Sequence, residues 1–151
     1  MRGGGWLIAA GCLSIIASLL HVGCIAFGAK WFRAFGAPEP LIVAYEGGEM
    51  RLVWMTVAIA LVLAIWAAYA FSGAGWIGKL PLLRTGLVLI SAIYLARGLF
   101  LLPALLRAPY PRYEFDIWSS AIVLVYGLAY AIGTWRAWSH LGPVSEQVIR
   151  G

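Results

Sequence analysis

Charge is the scarcest commodity in this sequence: only 11% of its 151 residues are Asp, Glu, Lys or Arg, against 63% from the apolar set. A soluble domain carries about 25% charged residues, so too little polar surface exists here to cover a globule in water. The same shortage excludes an intrinsically disordered chain, which needs high charge and few apolar residues. The two cysteines are too few for a disulfide-stapled secreted fold. The two histidines, His21 and His140, match no zinc or haem spacing and fall towards opposite ends of the layout derived below. The net charge of +5 is dispersed, with no basic run and no aromatic platform, and this excludes a nucleic-acid binder.

What remains is hydrocarbon-loving sequence, with a mean hydropathy of +0.89. A transmembrane helix takes about 20 mostly apolar residues, and four such stretches are present, at about 6–28, 52–71, 85–106 and 117–138. They show no alternation of period two. Helices rather than a barrel therefore satisfy the backbone inside the bilayer. The expected fold is all-α: a polytopic membrane protein with a four-transmembrane-helix bundle as its single domain. The first stretch has a single arginine before it and an apolar run longer than a signal peptide's core, so it is expected to be retained. Cys12 and Cys24 lie too far apart on one helix to be bridged.

Tryptophans support the same layout. Trp6, Trp76, Trp135 and Trp138 fall at one expected interface and Trp31, Trp54 and Trp118 at the other, as aromatic belts do. Lys and Arg divide evenly between the two sides. On one side, however, Arg33, Arg51 and their neighbours are interleaved with acids, whereas Arg2, Lys79, Arg84, Arg136 and Arg150 face almost none. This favours both termini on the cytoplasmic side, where anionic lipid attracts unpaired cations.

The connection from Lys30 to Arg51 is too long for a plain turn and mixes aromatic residues with charges. It is expected to hold a short amphipathic helix from Ala29 to about Phe35 and, after a break at Gly36-Ala37-Pro38, a second from Glu39 or Pro40 to about Glu46. Pro109 and Pro111 hold the third connection extended.

Function must be read from the polar residues near or inside the spans. Arg97 is foremost, because an arginine at mid-span costs at least about 2.5–3.5 kcal/mol and needs a partner or water. Two readings stand for it: a snorkelling or structurally paired arginine, and the charge partner of a bound anion. Ser14, Ser18 and His21 draw a stripe along the first span. Asp116, Ser120, Val123, Gly127, Tyr130 and Thr134 draw another along the fourth, both spaced by four and three. Close helix packing is the structural reading of both stripes. Alternating helix directions bring His21, Glu46, Glu49, Tyr94, Arg97, Asp116 and Ser120 toward one side of the membrane. The expectation is a polar chamber in that outer half, roofed by the first connection, with Arg97 paired to Glu49 or Asp116.

No catalytic residue, metal or cofactor is assigned, because neither a nucleophile–base pair nor a ligand spacing is present. Binding or passage of a small amphipathic or anionic ligand leads. The alternatives are a non-enzymatic subunit of a homo-oligomer or larger membrane complex, and an enzyme acting on a lipid-soluble substrate. Membrane lipid is the one partner every reading shares. The segments HVGCIAFGAKWFRAFGAPE, FSGAGWIGKLPLLR and IYLARGL resemble a group of uncharacterised small four-span bacterial inner-membrane proteins, and more loosely DoxX-like proteins in size and layout. That resemblance implies the fold and a bacterial inner-membrane location, and no activity.

Overall fold

A computed structural model describes residues 4–99 and 114–142, with side chains in the second stretch described from residue 117 onward. Every regular element among them is helical: α1 (Gly4–Phe27), α2 (Ala29–Ala34), α3 (Glu39–Glu46), α4 (Arg51–Ala74), α5 (Leu83–Leu99), α6 (Glu114–Ala137) and a 3-10 turn (Trp138–His140). Among the described residues, three helical stretches are long and apolar enough to cross a membrane: Gly4–Phe27, Arg51–Ala74 and Ile117–His140. The third expected span is represented by the 17 residues of α5, and its remainder, 100–106, lies outside the described residues, as does the proline-bearing connection that follows.

The exterior agrees with that length argument. Leu19, Leu61, Ile65 and Val125 are all more than half exposed, a surface that water would penalise and lipid would not. Burial in the interior follows the sequence stripes. Ser14 and Ser18 on α1 and Ser120, Gly127, Tyr130 and Thr134 on α6 all face inward.

α1 packs most extensively against α4, and α5 against α6; contact of α1 with α6 and of α4 with α5 joins the two pairs. Glycine sets the closeness of this packing. A Cβ on Gly98 would lie 3.0 Å from the Cα of Leu124, and one on Gly127 would lie 2.9 Å from the backbone nitrogen of Leu95. The backbones of α5 and α6 therefore touch almost directly, which is how membrane helices gain dispersion energy when no water drives them together. Gly133 plays the same part between α6 and Leu7 of α1.

Helix ends are set by local chemistry. α4 stops at Gly75, whose φ of 81° is the left-handed conformation that costs glycine least. The Gly75 N–H then bonds the Ser72 carbonyl at 3.1 Å, and the Trp76 N–H bonds that of Phe71 at 2.9 Å, a Schellman closure. At the other end α1 breaks at Gly28, with φ 70°, so that α2 can turn across the top.

α2 and α3 form a small cap whose core is Phe32, Ile42, Cys24 and Leu52, so it is seated on the ends of α1 and α4. The break between them falls at Gly36-Ala37-Pro38, where Pro38 denies α3 any helical predecessor. This end of the molecule is called the cap end below. The opposite end, where α1 and α5 begin and α4 and α6 finish, is the terminal end.

Candidate functional site

Three arrangements of polar groups inside the helices contain the expected residues. The innermost is a tyrosine–serine cluster halfway along. The Tyr130 hydroxyl donates to the backbone carbonyl of Trp66 at 2.9 Å and lies 2.9 Å from Ser14 Oγ. Because Tyr130 has one proton and the carbonyl takes it, Ser14 must donate to Tyr130. Tyr94, 3.3 Å from Ser14 Oγ, is then the donor to Ser14. The result is a one-way chain, Tyr94 to Ser14 to Tyr130 to the Trp66 carbonyl, running across α5, α1, α6 and α4. Aromatic edges fill the space around it: Tyr94 meets Trp66 at 4.7 Å and Tyr126 at 5.6 Å between ring centroids, both edge-on. Ser14 and Tyr130 are fully buried.

The second arrangement is Arg97. Its Nη1 donates to Ser120 Oγ at 2.9 Å, joining α5 to α6 on the cap-end side of the tyrosines. Ser120 is buried, whereas Arg97 is exposed on the helix surface. The ion pairs among the described residues are Arg33–Glu39 at 3.1 Å and Arg33–Glu46 at 3.0 Å, so the expected pairing of Arg97 with Glu49 is not among them. Arg33 on α2 takes Glu46 of α3 through a two-pronged bond. Glu49 is exposed beside the start of α4. Asp116, the other expected partner, has its side chain outside the described residues.

The third is local. His21 is half-buried, and its Nδ1 lies 2.8 Å from the carbonyl of Ala17 on its own helix. Only a protonated nitrogen can donate there, so Nδ1 carries the proton. One turn away, Ser18 donates to the Ala60 carbonyl of α4 at 2.8 Å. The α1 stripe thus divides: Ser14 and Ser18 bond across to other helices and His21 bonds back along its own.

Among the described residues the expected set divides by its hydrogen-bond partners. The structure brings together Arg97 and Ser120. It places Tyr94 in the central cluster, Glu46 in the cap's exposed ion pairs, and His21 against its own backbone. Electrostatics at the cap follow from the geometry, since the Arg33 guanidinium holds the Glu46 carboxyl below the usual carboxylate range and is itself held more firmly protonated. Among the described residues no group of three or more His, Cys, Asp or Glu side chains comes together to hold a metal.

Sequence reasoning misses the central cluster as a unit. Both stripes containing Ser14 and Tyr130 are visible in the spacing, but Trp66 enters through its carbonyl, an atom every residue has. Chemically the cluster is finished: each hydroxyl gives its proton to a defined acceptor. Arg97, by its bonds among the described residues, is not. A guanidinium has five N–H donors in a fixed plane, and the one bond to Ser120 found there leaves a fork suited to a carboxylate or phosphate. Comparison of the chain with protein families, with curated proteins and with solved structures returns no match.

Proposed function

We propose that this protein is a four-span bundle of the bacterial inner membrane, with both termini cytoplasmic, and that it binds a small amphipathic anion at Arg97. The observation that carries this reading is the Arg97–Ser120 pair itself, a guanidinium on an apolar helix that is exposed, bonded to a neutral hydroxyl and outside the ion pairs among the described residues. Such a charge in lipid calls for a partner, water or a reach to the headgroups, and an anionic headgroup supplies the first. The fork of the guanidinium supplies the headgroup contact, and the surrounding apolar faces of α5 and α6 supply a surface for a hydrocarbon tail. The filled tyrosine–serine centre favours binding at the flank of the bundle over passage through its middle.

Native mass spectrometry of the protein, gently extracted from its own membrane, tests the reading by comparing wild type with Arg97→Ala. A small anionic amphiphile bound to wild type and lost from the variant is the expected result. Finding no such ligand, with a stable oligomer or a bound partner protein in its place, would overturn it in favour of an accessory subunit whose polar groups serve only assembly.

A further inference from the structure

Tyr126 borders the tyrosine–serine cluster without belonging to its chain. Its ring meets that of Tyr94 edge-on, 5.6 Å between centroids, and the residue is only 8% exposed. Its hydroxyl takes no part in the bonds that join Tyr94, Ser14, Tyr130 and the Trp66 carbonyl, and it has no other hydrogen-bond partner among the described residues. A buried phenol without a partner is costly, and such groups are rare unless something else supplies the missing bond. Unlike Thr134 Oγ1, which is sealed further along α6, the Tyr126 oxygen keeps an opening to the outside.

That opening faces the cap end. Side chains on a helix lean toward its start, and α6 starts at the cap end, so the Tyr126 ring leans the same way. The four-helix core has Tyr94 and Tyr126 as its last buried members in that direction on α5 and α6. The buried cluster beyond, Cys24, Phe32, Ile42 and Leu52, belongs to α1, α4 and the cap. Ile122, one turn before Tyr126, is accordingly 53% exposed. Arg97 lies in the same region. It follows Tyr94 by just under one turn of α5, and its Nη1 reaches Ser120, six residues before Tyr126 on α6. Six residues span about 9 Å along a helix, and the lean of the tyrosine shortens the gap further. Two polar groups with bonds to spare, a guanidinium and a phenol, are therefore within the length of one small headgroup region.

We propose that the amphiphile held at Arg97 carries a carbonyl just below its anionic head, and that Tyr126 donates its proton to that carbonyl. This rests on anion binding at Arg97 and narrows the ligand to an anionic ester lipid, as against a plain alkyl anion. The Tyr126 proton needs an acceptor, and the carbonyls along the neighbouring helices are already bonded within those helices. A single water at this depth would need two to four polar partners. The hydroxyls behind Tyr126 have already passed their protons to one another, which makes a carbonyl held in place by its own hydrocarbon chain the better acceptor.

The test uses the full chain in a neutral detergent, stripped of lipid and titrated with phosphatidic acid carrying either ester-linked or ether-linked chains of equal length, with bound lipid counted by native mass spectrometry. The ether form keeps the anionic head and the tails and lacks the carbonyls. Wild type is expected to retain the ester form about threefold to tenfold better, the effect of one hydrogen bond to a buried donor. Tyr126→Phe, which keeps the ring in the core, is expected to abolish that preference. Arg97→Ala is expected to lower retention of both forms about tenfold or more. Equal retention of the two forms by wild type, or a preference that survives in Tyr126→Phe, overturns the carbonyl contact while anion binding at Arg97 stands. Undiminished retention of both forms by Arg97→Ala overturns anion binding at Arg97, and the carbonyl contact with it.

Discussion

The tyrosine–serine cluster and the Arg97–Ser120 pair lie within one helical turn of each other on α5 and differ in how completely their hydrogen bonds are used. In the cluster, three hydroxyls pass their protons along one direction to a backbone carbonyl, and aromatic rings exclude everything else. At Arg97, one of five donors is used among the described residues and the side chain is exposed. A closed network in a low-dielectric interior holds helices together, because any break leaves a polar atom stranded. An unfinished one has capacity to spare for something from outside. The two regions therefore predict opposite responses to mutation: stability changes in the first, and binding changes in the second.

The largest expected effect comes from emptying the cluster. Tyr130→Ala removes a fully buried ring and should cost about 3–5 kcal/mol of stability, as other aromatic deletions in packed cores do. Unfolding in detergent measures it, and a cost below about 1 kcal/mol would mean the cluster does not hold the bundle. Next is the glycine contact. Gly127→Val drives a side chain into the backbone of Leu95 and should cost about 1–3 kcal/mol by separating α5 from α6.

A finer comparison tests the direction of the hydrogen-bond chain. Tyr130→Phe deletes a donor and an acceptor at once and leaves the Ser14 proton without its acceptor, for an expected loss of about 1–2 kcal/mol. Tyr94 only donates, so Tyr94→Phe should cost about half as much or less; equal losses would show that the chain runs the other way. Arg97→Ala, by contrast, should leave stability within about 1 kcal/mol of wild type, since it removes a charge from an apolar helix, while abolishing retention of the amphipathic anion. A large loss of stability there would move Arg97 into the structural class.

The smallest effect belongs to the cap. Arg33 lowers the folded-state titration of Glu46 below its ordinary value of 4.5. A depressed carboxyl stabilises above its unfolded titration point, and that contribution is lost as pH falls through the folded one. Protection factors against hydrogen exchange in α2 and α3, corrected for the intrinsic pH dependence of amide exchange, should therefore fall slightly as pH drops below about 4.5 and stay level above it, with Arg33 protonated throughout. Both partners are exposed, so high salt should erase much of the difference.

Much of this was legible in the residues. Low charge and long apolar runs announce helices in a membrane, and the four-and-three spacing of Ser14, Ser18, Tyr130 and Thr134 picks out inward faces without any structure. The Gly36-Ala37-Pro38 break locates the turn between α2 and α3. Partner choice was not legible. His21, Glu46 and Arg97 share the cap end, yet each bonds a different group, because a shared end leaves many ångströms of lateral freedom and a hydrogen bond allows only a few tenths.

Composition and periodicity by themselves determined that this chain is helical, that its helices suit a bilayer, and which faces of the first and fourth stretches turn inward. These follow from solvent partition and the pitch of the helix, properties of each segment alone. Only the tertiary structure decided that Tyr94, Ser14 and Tyr130 close on the Trp66 carbonyl, that Arg97 meets Ser120, and that Thr134 Oγ1 is buried with no partner among the described residues. Those outcomes depend on rotations and close approaches between helices, set by where glycines let backbones touch, and no single helix carries that information.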